Sequence, residues 1–279
     1  MRIKVNFSKN ISDVPNNNKV VLEYVHRCLG RNNEYHDKAS SYNISHFYGG
    51  EINESNLNTL NFPDGGYFVV SSINKEFMGK ILMGLLDNPE ISYGMKFMNI
   101  EHVNEQFMEG WNHFATLSPF IIKGKCGKND YGKNDYSFLT IDGEYKRIDG
   151  KWNLIPTDNY DFQNVVKEHL SNKLNKIDES LNTSNIKVNI NKLDKDGNKH
   201  NKHKVKKVYV NNVLNFANQC QLSIFCSKKI AEILYNIGIG QSTGAGFGTI
   251  YKTENHHLYR SKKNIKVGIQ KSEILSEVV

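Results

Sequence analysis

A glycine-rich segment near the end of the chain has residue types and spacing suited to binding a phosphate chain. Five glycines occur within eleven residues, namely Gly238, Gly240, Gly244, Gly246 and Gly248. They follow an apolar helical pattern and precede a strand pattern, whereas nucleotide-binding loops have the order strand, glycines, helix. Glycine lets a backbone approach a phosphate closely, and successive N–H groups can surround an anion. We predict that this loop binds RNA or DNA, with Gln241, Ser242 and Thr243 as further donors. The alternative is a tight connection that binds nothing.

A second feature is the basic segment at residues 192–207. It holds seven lysines and two histidines, which are Lys192, Lys195, Lys199, Lys202, Lys204, Lys206, Lys207, His200 and His203. A run of charge is usually a solvated surface, but this one belongs to the same half of the chain as the glycines. We predict nucleic-acid contacts from Lys199, Lys202, Lys204 and Lys206. Such contacts weaken steeply with salt, because binding to phosphates releases counterions.

A third feature is a group of proton carriers in the first fifty residues. His26, His36, Lys38 and His46 lie within about twenty residues of one another. Imidazole has a pKa near 6.5 and can therefore accept or donate a proton near neutral pH. Lysine adds a compact positive charge. The segment is a candidate for acid–base chemistry beside a negatively charged group.

The elements that must position these residues follow a repeated order. In the first half, strand patterns at residues 3–7, 42–48, 67–70 and 95–103 alternate with helix patterns at residues 21–29 and 77–86. In the second half, strand patterns at residues 114–122, 186–190, 219–225 and 247–251 alternate with helix patterns at residues 162–177 and 230–237. Each half has the order βαββαβ, which is the ferredoxin-like unit. The second half carries an insertion at residues 123–157 and a basic hairpin.

The predicted fold class is therefore α+β, with two tandem ferredoxin-like (RRM-like) βαββαβ domains. The first domain spans residues 1–110 and carries the histidine-bearing loop. The second spans residues 111–252 and carries the basic hairpin and the glycine-rich loop. Residues 253–279 form a basic tail.

Composition narrows the class of partner. The 279 residues carry a net charge of +7, which favours a polyanionic partner. The sequence has no signal-peptide core and no apolar run of membrane-spanning length, so we expect a cytoplasmic protein without membrane contact. The four cysteines form no Cys-x-x-Cys pair, and the phosphate-loop-like segment 127–133 is followed by Asn134 instead of Ser or Thr. We expect neither a bound metal nor a cofactor.

Several motifs together resemble a known family, the CRISPR-associated endoribonucleases of the glycine-rich-loop RAMP superfamily, which cut precursor CRISPR RNA within its repeats. The glycine-rich loop resembles the signature loop of that family. The segment Thr116-Leu117-Ser118-Pro119 is similar to the strand that opens the second half. The segments Tyr35-His36-Asp37-Lys38, Tyr42-Asn43-Ile44-Ser45 and Leu85–Glu90 resemble the loop histidine, the following strand and the end of the second helix. The resemblance covers residues 1 to 252.

The resemblance implies metal-independent cleavage, in which the 2′-hydroxyl attacks the neighbouring phosphate to leave a cyclic phosphate and a 5′-hydroxyl. His36 matches the catalytic histidine of the family, and His26 lies where relatives place a second group facing the cut. Lys38 is the candidate cation, although relatives place their lysine a few residues later, near Ser40 or Ser41. His46 is a rival base, with a structural role as its alternative.

Three readings of the function remain open at this stage. The first is a precursor-RNA endoribonuclease that binds CRISPR repeat RNA and delivers the product to an effector complex. The second is a subunit of the same fold that binds guide RNA without cutting it. The third is a general RNA-binding protein, which we rank last because Phe68, Phe97 and Phe225 are not expected to form an aromatic patch. The sequence leaves monomer and homodimer, and the repeat sequence, undecided.

Overall fold

The structure, a computed structural model of the protein, describes residues 1–16, 18–30, 35, 41–128, 134–155, 161–190, 204–210 and 213–254. Four of the predicted site residues lie outside this part of the chain, namely His36, Lys38, Lys199 and Lys202. Most of the predicted basic tail, residues 255–279, also lies outside it.

The first half contains one large sheet, two helices and one small sheet. Its elements are β1 (Arg2–Phe7), β2 (Val14–Pro15), α1 (Lys19–Leu29), β3 (Tyr42–Ile44), β4 (Glu51–Asn53), β5 (Asn56–Asn61), β6 (Gly66–Ser72), α2 (Lys75–Asp87), β7 (Glu90–Ser92) and β8 (Met95–His102). The large sheet has the order β3-β6-β1-β8-β7, and β1 is antiparallel to both of its neighbours. The elements β1, α1, β3, β6, α2 and β8 form the first predicted βαββαβ unit.

Alternation along β1 explains how this sheet meets its helices. Ile3, Val5 and Phe7 are buried in one core with residues of α1 and α2. The residues between them lie on the opposite face, because successive side chains of a strand point to opposite sides. At the start of α2, the Asn74 side chain accepts hydrogen bonds from the N–H groups of Glu76 and Phe77, at 2.8 and 3.1 Å. This cap satisfies two of the N–H groups that a helix start leaves without partners.

The second half repeats the arrangement with two additions. Its elements are β9 (Gly110–Thr116), β10 (Lys123–Lys128), β11 (Asn134–Thr140), β12 (Gly143–Ile148), β13 (Lys151–Ile155), α3 (Phe162–Ile177), β14 (Lys187–Asn189), β15 (Lys204–Val210), β16 (Val213–Gln219), β17 (Gln221–Cys226), α4 (Lys228–Ile237) and β18 (Ile250–Lys252). The main sheet has the order β14-β17-β9-β18, the same as the order of the equivalent strands in the first half. The prediction of two tandem ferredoxin-like units in an α+β fold is confirmed.

The two additions pack against each other. The insertion forms a four-stranded sheet of β10 to β13, and β15 pairs with β16 as the predicted hairpin. Phe216 of β16 stacks on Tyr145 of β12, with ring centroids 3.9 Å apart. Phe138 of β11 and Phe247 of the glycine-rich loop belong to the same apolar cluster. The hairpin therefore joins the insertion to the loop.

Polar contacts fix the two halves to each other. Arg2 of β1 is buried, its guanidinium lies 3.6 Å from the centre of the Tyr235 ring, and it donates to the carbonyls of Tyr235 and Ile250, each at 2.5 Å. The hydroxyl of Ser71 in β6 donates to the carbonyl of Asn236 at 2.8 Å. The first sheet thus contacts both the end of α4 and β18.

Candidate nucleic-acid interface

The glycine-rich loop, residues 238–248, connects α4 to β18 and is closed on itself. The N–H of Ile239 donates to the carbonyl of Gly248 at 2.9 Å, which draws the two ends of the loop together. The N–H of Gln241 donates to the carbonyl of Ile121 at 2.7 Å, so the loop is also fixed to the segment after β9. Between these anchors, Thr243–Ala245 forms one turn of 3-10 helix.

Protein contacts account for several of the glycines. Gly248 has a φ of +69°, and a Cβ there would collide with the carbonyl of Ile239. A Cβ on Gly244 would lie 2.8 Å from the ring of Tyr42 in β3. Four loop glycines are buried, namely Gly238, Gly240, Gly246 and Gly248. Residues 241–245 contain the surface of the loop, and Ser242 is exposed.

Asn43 of β3 joins the first half to this loop. Its side-chain nitrogen donates to the carbonyl of Phe247 at 2.8 Å and to that of Thr243 at 3.3 Å. Its side-chain oxygen accepts from the hydroxyl of Thr249 at 2.6 Å. All of these bonds are buried, so they hold the loop against the strand that follows the histidine-bearing segment.

His46 lies beside the loop as a neutral imidazole. Its Nε2 is 2.7 Å from the side-chain nitrogen of Asn18, which can only donate, so Nε2 accepts. Asn18 also contacts the carbonyl of Ala245 at 3.3 Å. Burial, together with the charge of Lys206, lowers the pKa of His46 to about 4, although a backbone hydrogen bond with Gly246 opposes them. The imidazole therefore stays neutral near pH 7.

The predicted lysines of β15 are near the same place. Lys206 is half-buried, and it is close enough to lower the pKa of His46. Burial lowers the pKa of Lys206, and the charge of Lys204 adds to this effect. Lys206 is paired across the hairpin with Ala217, which belongs to the same cluster as Phe247. The fold thus brings part of the basic hairpin, His46 and the glycine-rich loop together.

His26 lies apart from that group. It is half-buried in the last turn of α1, whereas Asn18 caps the other end of the helix. Eight residues of helix at 1.5 Å each separate them by about 12 Å. The contacts of Asn18 with His46 and the glycine-rich loop therefore do not place His26 beside that loop.

Tyr35 precedes His36 in the sequence and is itself described by the structure. The Tyr35 ring is buried and meets the ring of Phe77 edge-on, with centroids 5.1 Å apart. The hydroxyl of Tyr42 donates to the carbonyl of Tyr35 at 3.2 Å, and the ring of Tyr42 packs on Gly244. The residue before His36 is thus anchored beside the glycine-rich loop.

Two residues that the sequence did not indicate lie under the loop. Lys173 of α3 donates to the carbonyls of Ile237, Gly238 and Gly240 at 3.2, 3.0 and 3.1 Å. Burial lowers the pKa of Lys173 to about 7. His169 lies one turn earlier, and burial lowers its pKa to about 4 against a backbone hydrogen bond with Gly240. The sequence feature that could have indicated these two residues is that His169 and Lys173 lie four residues apart, beside the apolar face of α3.

An aromatic and basic surface lies on the face of the second sheet opposite its helices. Trp111 of β9 is 43% exposed and meets Phe225 of β17 edge-on at 5.6 Å. Lys187 of β14 lies 5.5 Å from the centre of the Phe225 ring. The expectation that Phe225 lies outside such a patch is therefore wrong, whereas Phe68 is buried in the first core as that expectation required.

Within the described residues, no helix is long and apolar enough to cross a membrane. Among the same residues, no three His, Cys, Asp or Glu side chains group together as metal ligands do.

Comparisons with known proteins agree with this architecture. Residues 101–251, more than half of the chain, match the family model for the C-terminal part of the CRISPR-associated protein Cas6. A Cas6-related protein from Pyrococcus furiosus superimposes with a TM-score of 0.70 at 19% identity, over 91% of this chain and 98% of that one. A RAMP protein that binds different RNA substrates gives 0.68 at 17% identity, over 90% and 99% of the two chains. A further CRISPR-associated Cas6 protein gives 0.64 at 16% identity, over 91% and 99%. No curated protein sequence matches.

Proposed function

The chain belongs to the Cas6 family of CRISPR-associated proteins and thereby has a role in processing CRISPR repeat RNA, and we propose that it is a metal-independent endoribonuclease. In the proposed reaction, the 2′-hydroxyl upstream of the cut attacks the adjacent phosphorus while a base takes its proton. The bond to the 5′-oxygen breaks as an acid protonates that oxygen. The products are a 2′,3′-cyclic phosphate and a 5′-hydroxyl. The observation that carries the proposal is the position of Tyr35, directly before His36, beside the glycine-rich loop.

We assign the main proton transfer to His36. Its neighbour in sequence, Tyr35, is anchored to Tyr42, whose ring packs on Gly244, and this supports the assignment. An imidazole with an unperturbed pKa suits transfer near neutral pH, and a positioned group contributes roughly a hundred- to ten-thousand-fold in rate. His26 is the second imidazole in the proposal, and Lys38 is the cation that stabilises the phosphorane.

His46 has a different role in the proposal. Its Nε2 accepts from Asn18, and its ring is hydrogen-bonded to the backbone at Gly246. With a pKa lowered to about 4, it is a poor proton acceptor near neutral pH. These observations support the structural alternative, in which His46 joins α1 to the glycine-rich loop.

We propose that RNA is bound by residues 241–245 together with the basic hairpin. Ser242 has a φ of +57° and is followed by the 3-10 turn, and successive N–H groups in turns of this kind can form an anion-binding concavity. Within the described residues, the N–H groups of Ser242, Thr243 and Gly244 donate to no backbone carbonyl. Lys204 and Lys206 supply positive charge nearby. Lys199 and Lys202 belong to the same proposal on the strength of the sequence.

A cleavage assay separates the enzyme from the binding-only alternative. Labelled repeat RNA from the array beside the gene is incubated with the protein in excess EDTA. We expect cleavage by the wild-type protein, loss of cleavage with retained binding in His36→Ala, and normal cleavage in His102→Ala, an exposed histidine at the end of β8. A 2′-deoxy substitution at the nucleotide before the cut should block the reaction.

Two outcomes would overturn parts of the proposal. RNA that is bound but stays intact with the wild-type protein, with and without added divalent metal, favours the subunit that holds guide RNA without cutting. Cleavage of the 2′-deoxy substrate contradicts the proposed nucleophile, whatever residue acts as the base.

A further inference from the structure

Lys173 is a half-buried lysine of α3 whose ammonium group contacts the base of the glycine-rich loop. Its ammonium group donates to the carbonyls of Ile237, Gly238 and Gly240, at 3.2, 3.0 and 3.1 Å. An ammonium has three N–H donors, so these carbonyls satisfy all of them. The hydroxyl of Thr243, in the surface part of the loop, lies 3.5 Å from the same nitrogen.

The electrostatic partner of Lys173 is the end of α4. Within the described residues, no carboxylate lies in ion-pair contact with Lys173. Ile237 and Gly238 carry carbonyls at the C-terminal end of α4, where the helix dipole places partial negative charge. A buried charge is costly unless it is neutralised by hydrogen bonds or opposite charge. The loop carbonyls and the helix end therefore hold the ammonium in place, and the ammonium in turn holds them.

The same contacts fix two peptide groups from both sides. The peptide after Gly240 has its carbonyl on Lys173 and its N–H, that of Gln241, on the carbonyl of Ile121. The peptide after Gly238 has its carbonyl on Lys173 and its N–H on the carbonyl of Gly248. Since the C=O and N–H of one peptide point in opposite directions, these planes have a single orientation.

We propose that Lys173 is a positioning residue that sets the conformation of the glycine-rich loop and, through it, the affinity for RNA. The inference rests on the proposed RNA-binding role of residues 241–245. In this proposal the ammonium group of Lys173 is occupied by the carbonyls at the base of the loop and does not contact the RNA. Its ammonium satisfies the loop carbonyls in place of solvent, while the N–H groups of Ser242, Thr243 and Gly244 donate to no backbone carbonyl within the described residues.

The test compares Lys173→Met with Lys176→Met. Methionine keeps most of the apolar stem of lysine and removes its charge, and Lys176 is an exposed lysine on the same helix. Hydrogen exchange of the RNA-free proteins is followed at residues 238–248, with α1 and α2 as internal references. Affinity for repeat RNA is then measured across a series of KCl concentrations.

We expect Lys173→Met to accelerate exchange in the loop at least about tenfold, and to raise the Kd by about tenfold or more, which corresponds to the loss of one charged hydrogen bond. The slope of log Kd against log salt should stay at the wild-type value, because Lys173 neutralises no phosphate. In Lys176→Met the loop should exchange as in the wild type.

Unchanged exchange in Lys173→Met would overturn the proposal, and so would a salt slope reduced by about 1, which is the signature of a direct phosphate contact. If Lys173→Met does not fold, Lys173→Gln is used, since its amide can still donate two hydrogen bonds. If the loop of Lys173→Gln exchanges at the wild-type rate, the charge of Lys173 is not needed and that part of the proposal is refuted. A wild-type protein that binds no repeat RNA removes the proposed function, whereas the exchange experiment still tests the role of Lys173 in the loop.

Discussion

Replacing Asn43 by alanine should weaken the contact between the two halves and lower the free energy of unfolding. The change removes the bonds to the carbonyl of Phe247 at 2.8 Å and to the hydroxyl of Thr249 at 2.6 Å. Asn43 is fully buried, so water cannot take its place. Thr249 keeps only a 3.4 Å contact with the carbonyl of Ile44. Two hydrogen bonds at about 1 kcal/mol each, and a buried carbonyl left without a partner, give a loss of about 2–4 kcal/mol in the free energy of unfolding.

The assay is urea unfolding at pH 7, followed by far-ultraviolet circular dichroism and by tryptophan fluorescence. Both tryptophans, Trp111 and Trp152, lie in the second half. Fluorescence therefore reports on the second half, whereas circular dichroism reports on the whole molecule. For a chain of this size, the expected loss lowers the melting temperature by roughly 5–15 °C. Asn153→Ala is the matched control, because Asn153 is exposed and its side chain only bonds the carbonyl of Lys151. It should change stability by less than about 0.5 kcal/mol.

A double-mutant cycle with Thr249→Val isolates the pair. If Asn43 and Thr249 interact as described, the double variant should lose less than the sum of the single variants, by about 0.5–3 kcal/mol. A loss in Asn43→Ala no larger than that of Asn153→Ala, or strict additivity in the cycle, would refute the claim that this network holds the halves together.

Three further predictions concern the helices, the histidines and the hairpin. Gly79→Ala should raise the free energy of unfolding by about 0.5–1 kcal/mol, because Gly79 is exposed within α2 and a Cβ there meets no other atom. Gly84→Ala should lower it, because the Cβ would collide with the carbonyl of Cys28 in α1. Equal urea midpoints for the two variants would contradict this. Stability should fall as the pH drops from about 6.5 to about 4, because His46 and His169 stay neutral when folded and bind protons when unfolded. His46→Gln should remove the part of that fall that is due to His46, and an unchanged profile would count against its lowered pKa. Lys204→Met should weaken RNA binding and reduce the salt slope by about 1, whereas an unchanged slope would exclude a phosphate contact.

Hydrophobic periodicity was sufficient to predict most of the fold. A strand was predicted from the alternation of Ile3, Val5 and Phe7, which are buried in the first core. A helix was predicted from the spacing of Phe162, Val166 and Leu170, which are buried in the second. The small sheet of β2, β4 and β5 was not predicted, because its strands are short and mostly exposed and carry little alternation. Pairing of such strands depends on neighbours that local sequence does not specify.

The candidate site was only partly predictable. The number of glycines indicated an unusual loop, but not that four of them would be buried, some against other parts of the protein such as Asn43 and Ile121. Lys173 resembled an ordinary surface lysine, since nothing near it in sequence shows that its ammonium group reaches the C-terminal end of α4. Phe225 acquired its neighbours Trp111 and Lys187 from strands far apart in the chain. Contacts of this kind are set by tertiary structure and cannot be read from spacing.

The burial of Arg2 has a consequence for synthesis on the ribosome. Its ring partner is Tyr235, and one of its acceptors is the carbonyl of Ile250, so the contacts of β1 depend on residues that are synthesised more than 230 positions later. The amino-terminal half leaves the exit tunnel first but cannot complete its polar contacts until α4 and β18 have emerged. A nascent chain stalled before residue 235 should therefore be more susceptible to protease in β1 than the released protein, and the two halves should not be obtained as stable separate fragments.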